Sequence, residues 1–94
     1  MVEEALPDFS AAELWDMWLT HRAWIMGNSL GEYYADPKTR ALLSDNARWE
    51  VERSMQPDMT ANKVFQSSMS RTAWVQTVRE LFEKYAFAIA PTTQ

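Results

Sequence analysis

The stretch TANKVFQSSMSRTAWVQTVRELFEKYAFAIAP, residues 60–91, decides how the rest of the chain is read. Thr60, Val64, Ser67, Arg71, Trp74, Val78, Leu81 and Tyr85 recur at steps of three and four, which puts them on one face of a helix of roughly seven turns. The spacing predicts a long helix over about 60–85 with that face as a packing seam. Gln76, Arg79, Glu80, Glu83 and Lys84 fall on the opposite side of its second half, as a solvated face requires, whereas Phe65 and Met69 make the first half apolar on a second side. The first half therefore needs two partners. Residues 87–91, Phe-Ala-Ile-Ala-Pro, have the composition of a strand, and Thr92, Thr93 and Gln94 offer nothing that could return beside it.

Upstream, Asp8-Phe9-Ser10 has the chemistry of a helix start, following a lead-in over residues 2–9 in which Pro7 restricts Leu6 to extended geometry. Ser10 is the expected N-cap, Glu13 completes a capping box, and Phe9 is placed to staple against Leu14. The helix is predicted to run to about Met26. Leu14, Met17, Trp18, His21, Trp24 and Ile25 form one apolar stripe, with Trp15, Leu19, Arg22 and Met26 beside it. That leaves Asp16, Thr20 and Ala23 to face water, so the helix should be enclosed on most sides. Gly27-Asn28 is expected to end it, since both residues tolerate the left-handed conformation of helix C-termini. Residues 30–35 then read as a short helical turn presenting Tyr33 and Tyr34. Asp36 caps a helix of barely two turns with Pro37 at its first position, and Ser44 or Asp45 caps another over about 46–55. On that helix Trp49 and Glu52 share one face, and Val51 and Met55 another. Gln56-Pro57-Asp58 breaks it, and Thr60 caps the long helix.

Ninety-four residues allow one domain, 1–94, without an internal boundary, and a core that is possible but not generous. The net charge of −4 is carried with Lys and Arg scattered, which argues against nucleic acid as a partner. Without cysteine there are no disulfides, thiolate nucleophiles or zinc–thiolate sites. No run approaches the ~18 apolar residues of a membrane span, and the start Val2-Glu3-Glu4 is acidic where a signal peptide is basic. The expectation is a soluble cytoplasmic chain with no membrane partner. Against this plain background stands an aromatic load of five Trp, three Tyr and four Phe, with six Met. Each large aromatic calls for roughly 150–250 Å² of burial. A bundle of this size can hide only some of them, which suggests a sticky surface or a piece of a larger protein.

Few side chains carry chemistry. His21 is the single histidine, and no Gly-x-Ser-x-Gly elbow supplies a nucleophile for it, so it reads as structural rather than as the base of a small enzyme. One His and no Cys leave no metal-ligand spacing, and no cofactor is expected. Ser67, Ser68 and Ser70 sit mid-helix, where hydroxyls bond back to the preceding turn, and read as small residues allowing close packing. Arg71 lies within the seam, where an unpaired charge is expensive. Glu50 and Glu52 are its expected partners in an ion pair tying two helices; contact with a substrate carboxylate is the alternative.

The string Arg48-Trp49-Glu50-Val51-Glu52, then Arg71-Thr72-Ala73-Trp74, then Leu81-Phe82-Glu83-Lys84-Tyr85 and Ile89-Ala90-Pro91-Thr92-Thr93-Gln94, resembles in order and spacing the C-terminal part of amidase signature enzymes. In that family a helix of the form R-x-x-W…L-F-x-x-Y-D delivers the chain into a core strand ending in P-T. The Trp-rich helix and Asp36-Pro37-x-x-Arg40 are similar to the helical insertion that precedes it. The resemblance covers nearly all of this chain but only a modest fraction of such an enzyme. It implies an all-α fragment of a parent α/β fold whose activity is hydrolysis of amide carbon–nitrogen bonds by a Ser–cis-Ser–Lys triad.

Lys38, Lys63 and Lys84 match no lysine motif of the family, no Gly/Ser-rich catalytic run is present, and Ala86 stands where the family carries Asp. The fragment is thus expected to be inactive alone. Its implied work is to wall part of the parent's substrate region with Trp15, Trp18, Tyr33 and Tyr34 and to deliver residues 87–91 to the sheet. The implied partners are the remainder of the amidase or, apart from it, further copies of the chain through exposed apolar helix faces. A free-standing helical interaction module is the competing reading.

Overall fold

The computed structural model describes residues 4–5 and 7–92, so the extended geometry expected at Leu6 and the final Thr93-Gln94 lie outside the described residues. The described chain is all-α, in the order α1 (Ala11–Ala35), α2 (Pro37–Arg40), α3 (Asp45–Ser54) and α4 (Ala61–Lys84). α1 is the organising element, packed against each of the other three helices.

α1 starts as its sequence dictates, with Glu13 N–H donating to Ser10 Oγ at 3.3 Å. It does not stop at Gly27-Asn28 but runs through 25 residues, about 37 Å, to Ala35. Gly27 has no positive φ. Its missing side chain serves packing instead, because a Cβ built there would fall 2.5 Å from Ser54 Cβ of α3. Asn28 donates from Nδ2 to the Trp24 carbonyl at 2.8 Å and stays helical. The true stop is Pro37, which forces Asp36 out of the helical region to φ −86°, ψ 119°. Three terminal carbonyls of α1 then find donors just beyond that stop. Thr39 Oγ1 donates to Tyr33 O at 2.6 Å, and the Arg40 guanidinium donates to Tyr34 O and Ala35 O while lying 4.7 Å over the Tyr34 ring.

The remaining caps follow the sequence. Ser44 accepts from Ala47 N–H, and Thr60 accepts from Lys63 N–H at 3.1 Å. Between α3 and α4, Asp58 takes both Arg53 nitrogens at 2.9 and 3.0 Å and Lys63 Nζ at 3.4 Å. Phe9 meets Trp74 edge-on, with ring centroids 5.5 Å apart, so the entry segment is tied to α4.

The core inverts part of the sequence reading. Thr20 and Ala23, expected to face water, are buried, and with Gly27 they form a stripe of small residues. The large residues on the opposite side of the helix, Trp15, Trp18 and Ile25, are exposed. Small side chains let helix axes approach closely, so the face that packs best is the one with least bulk. Among the described residues only Met17, Ala23 and Val51 are buried apolar side chains. α4 has its seam turned inward at Val64, Ser67, Trp74, Val78 and Leu81, but Arg71 is exposed, and so are Phe65 and Met69 on the second apolar side. After α4, residues 85–92 form neither helix nor strand, and Phe87 and Ile89 are 87% and 90% exposed. The radius of gyration, 17.3 Å, exceeds the roughly 12 Å of a compact chain of this length.

Candidate functional site

The carboxylates expected to meet Arg71 have other partners. Glu50, largely buried on α3, accepts from Arg22 Nε at 2.6 Å and Nη2 at 3.2 Å, a fork that ties α3 to α1 instead of to α4. The fork and the charge of Glu50 hold the Arg22 guanidinium above its ordinary pKa. Arg22 also lies 5.4 Å over the Trp18 ring. Glu52 accepts from the Tyr34 hydroxyl at 2.9 Å, and that hydrogen bond is the main reason the phenol is raised above its usual pKa. The Arg71 expectation is corrected accordingly: exposed on α4, it needs no buried counter-charge, and Arg22 takes the α3 carboxylate because its helix is the one packed there. Arg22 lay in the secondary stripe of α1, and its i-to-carboxylate pairing across 28 positions carries no local sequence signal.

The four aromatic residues expected to wall one region are not brought together. Trp15 and Trp18 lie near the start of α1 and Tyr33 and Tyr34 near its end, so Trp15 and Tyr33 are about 27 Å apart along the axis. Trp15, Trp18 and Tyr33 are exposed, whereas Tyr34 is half-buried between Arg40 and Glu52.

Among the described residues, the cluster of reactive side-chain types is His21 with Ser67 and Ser68. His21 Nδ1 is 2.9 Å from Ser67 Oγ and 3.3 Å from Met17 O, Nε2 is 3.3 Å from Ser68 Oγ, and Ser67 Oγ donates to Met17 O at 3.3 Å. With the proton on Nδ1 every contact is used at once: the ring N–H is shared between Ser67 Oγ and Met17 O, Ser67 donates to Met17 O, and Nε2 accepts from Ser68. The serines therefore reach across to α1 rather than back along α4, as Thr72 and Thr77 do to Ser68 O and Ala73 O. A base beside a hydroxyl is half of an acyl-transfer site. The other half is missing here, since Ser67 and Ser68 lie in the interior of α4, where backbone N–H groups are engaged in the helix and cannot face an oxyanion. The cluster reads as a polar clasp between α1 and α4. Beside it, an open groove is lined by Glu13, Asp16, Met17, Lys63 and Gln66. Among the described residues no three His, Asp or Glu side chains could hold a metal ion. Among them, too, no helix is long and apolar enough to cross a membrane.

What distinguishes the surface is apolar. Trp15, Trp18, Arg22 and Ile25 line the side of α1 away from the Thr20–Ala23–Gly27 stripe, Phe65 and Met69 line the outer side of α4, and Phe87 and Ile89 follow it. Such patches mark surfaces that another molecule or another part of a protein covers. Compared with known proteins, the chain matches no protein-family model, no curated protein and no solved structure.

Proposed function

We propose that this chain is a helical segment from the C-terminal part of an amidase signature enzyme, working as a structural part of amide-bond hydrolysis rather than as its catalyst. The observation that carries this reading is the run after α4. Phe87 and Ile89 alternate with alanines, belong to neither helix nor strand, and stand almost wholly exposed, a pattern that a strand of a larger sheet would use. In the family the same position, after a helix of the Arg71-x-x-Trp74…Leu81-Phe82-x-x-Tyr85 kind, is where the chain enters the core sheet. The outer face of α4, with Phe65 and Met69, supplies the second surface for the enzyme body to cover. In this reading the nucleophile and base belong to that body, and the segment wedges helices against it.

Exchanging the matching segment of an amidase signature enzyme for residues 7–92 of this chain tests the reading. The chimera is expected to be soluble, to hydrolyse an aryl amide, and to protect the amides of residues 87–90 from hydrogen exchange. A soluble chimera in which those amides exchange as freely as in the chain alone contradicts it. The chain alone is expected to hydrolyse no amide.

The outward face of α1 favours a second mode alongside this one. It points away from the helices already packed and is free to bring further copies of the chain together.

A further inference from the structure

We propose that two copies of the chain pair through α1, antiparallel about a two-fold axis, along Trp15, Trp18, Arg22 and Ile25. The proposal gives residues and a geometry to the self-association named above and does not depend on the amidase reading.

Four observations lead there. First, the face is free: Trp15 is 62%, Trp18 48% and Ile25 51% exposed, although three large apolar side chains in a row are what helices ordinarily bury. The inner face of the same helix, Met17, Thr20 and Ala23, is already covered. Second, the face carries no unbalanced charge. Its single ion, Arg22, is held by Glu50 within the same copy, so two such faces meet without like-charge repulsion. Third, the positions 15, 18, 22 and 25 are spaced three, four and three apart, a pattern that reads the same in both directions. A two-fold interface demands that a surface fit its own copy. Turned end for end, the stripe sets Trp15 opposite Ile25 and Trp18 opposite Arg22. Because Arg22 already lies over the Trp18 of its own chain, the reciprocal crossing builds a stack of two guanidinium groups and two indoles at the centre. Fourth, Ala11 and Ser29 continue the stripe by one turn at each end with small side chains, which let the two helices approach along its length.

The size of the patch sets the strength. Large aromatics offer roughly 150–250 Å² each. With about half of that still free on each of the four side chains, the two copies together bury roughly 600–1,000 Å², in the range of weak, transient contacts. The pairing is therefore a concentration-dependent equilibrium and not a permanent dimer.

Sedimentation equilibrium on the full chain and three variants decides it. The unchanged chain is expected to show a monomer–dimer equilibrium. Trp15→Lys and Ile25→Glu, each at an exposed position, are expected to keep the helical circular dichroism and to weaken the dimer about tenfold or more. The double variant is expected to recover the dimer, because in the antiparallel register the new cation of one copy faces the new anion of the other at both ends. A single-chain mass at all concentrations overturns the proposal. A dimer indifferent to both single changes overturns the choice of face, and single changes that weaken the dimer without recovery in the double overturn the antiparallel register. None of these outcomes bears on the segment exchange that tests the amidase reading.

Discussion

Gly27 and Gly31 lie four positions apart in the same helix and should respond to alanine in opposite directions. Alanine favours an unstrained helix interior over glycine by about 1 kcal/mol. At Gly31 nothing lies within 4 Å of an added Cβ, so Gly31→Ala is expected to raise stability by up to about 1 kcal/mol in urea titration. At Gly27 the added carbon meets Ser54 Cβ, which is fixed to the α3 backbone, and Gly27→Ala is expected to lose about 1–3 kcal/mol. Ser54→Gly in the Gly27→Ala background should return part of that loss. Equal gains at both sites would mean that α1 and α3 do not approach as closely as described. The same residue shows where sequence reading ran out. A glycine followed by asparagine reads as a helix end by local chemistry, but a close neighbour 27 positions away decided otherwise. Thr20 and Ala23 are buried for the same reason: apolar periodicity follows bulk, while helix contact follows closeness of approach.

At the scale of elements, caps were legible and partners were not. Ser10, Asp36, Ser44 and Thr60 cap the helices predicted for them, because a cap is an interaction across three residues that the sequence shows directly. The range of α4 followed from its three-and-four spacing in the same way. The pairing of Glu50 with Arg22, of Glu52 with Tyr34 and of Ser67 with His21 joins positions far apart in the chain, and no local pattern announces which helix lies beside which. The turn between α3 and α4 carries a pH dependence of its own. Asp58 is held below the ordinary carboxylate pKa, chiefly by the hydrogen bond from Arg53, with Lys63 adding to it and partial desolvation opposing it. Its folded pKa is thus lower than its unfolded one. The stabilisation it gives is present above the unfolded value of about 4 and disappears as pH falls through the lower folded value. Asp58→Asn is expected to lower the thermal midpoint at neutral pH, and the gap to the unchanged chain should close on acidification below about pH 4. A gap of constant size down to the lowest pH would show that the charge of Asp58 does not matter.

Over the whole molecule, the helices are sound and the core is thin. Among the described residues three apolar side chains are buried, while Trp15, Trp18, Trp24, Trp49, Phe65 and Phe82 stand about half exposed, in a body 57 Å long and 18 Å thick. The sequence indicated this imbalance through its aromatic load alone, and the structure locates it on α1, on α4, at Trp49 of α3 and along residues 85–92. The central claim is that these faces are completed by another chain or by a larger protein body. Its most direct test is light scattering on the isolated chain across a dilution series, with tryptophan emission recorded on the same samples. The account predicts a mass that falls toward that of a single chain on dilution, with emission moving to longer wavelength as the indoles become wet. A single-chain mass at every concentration, with emission constant and characteristic of buried indole, would contradict it, since the apolar faces would then be satisfied within one copy.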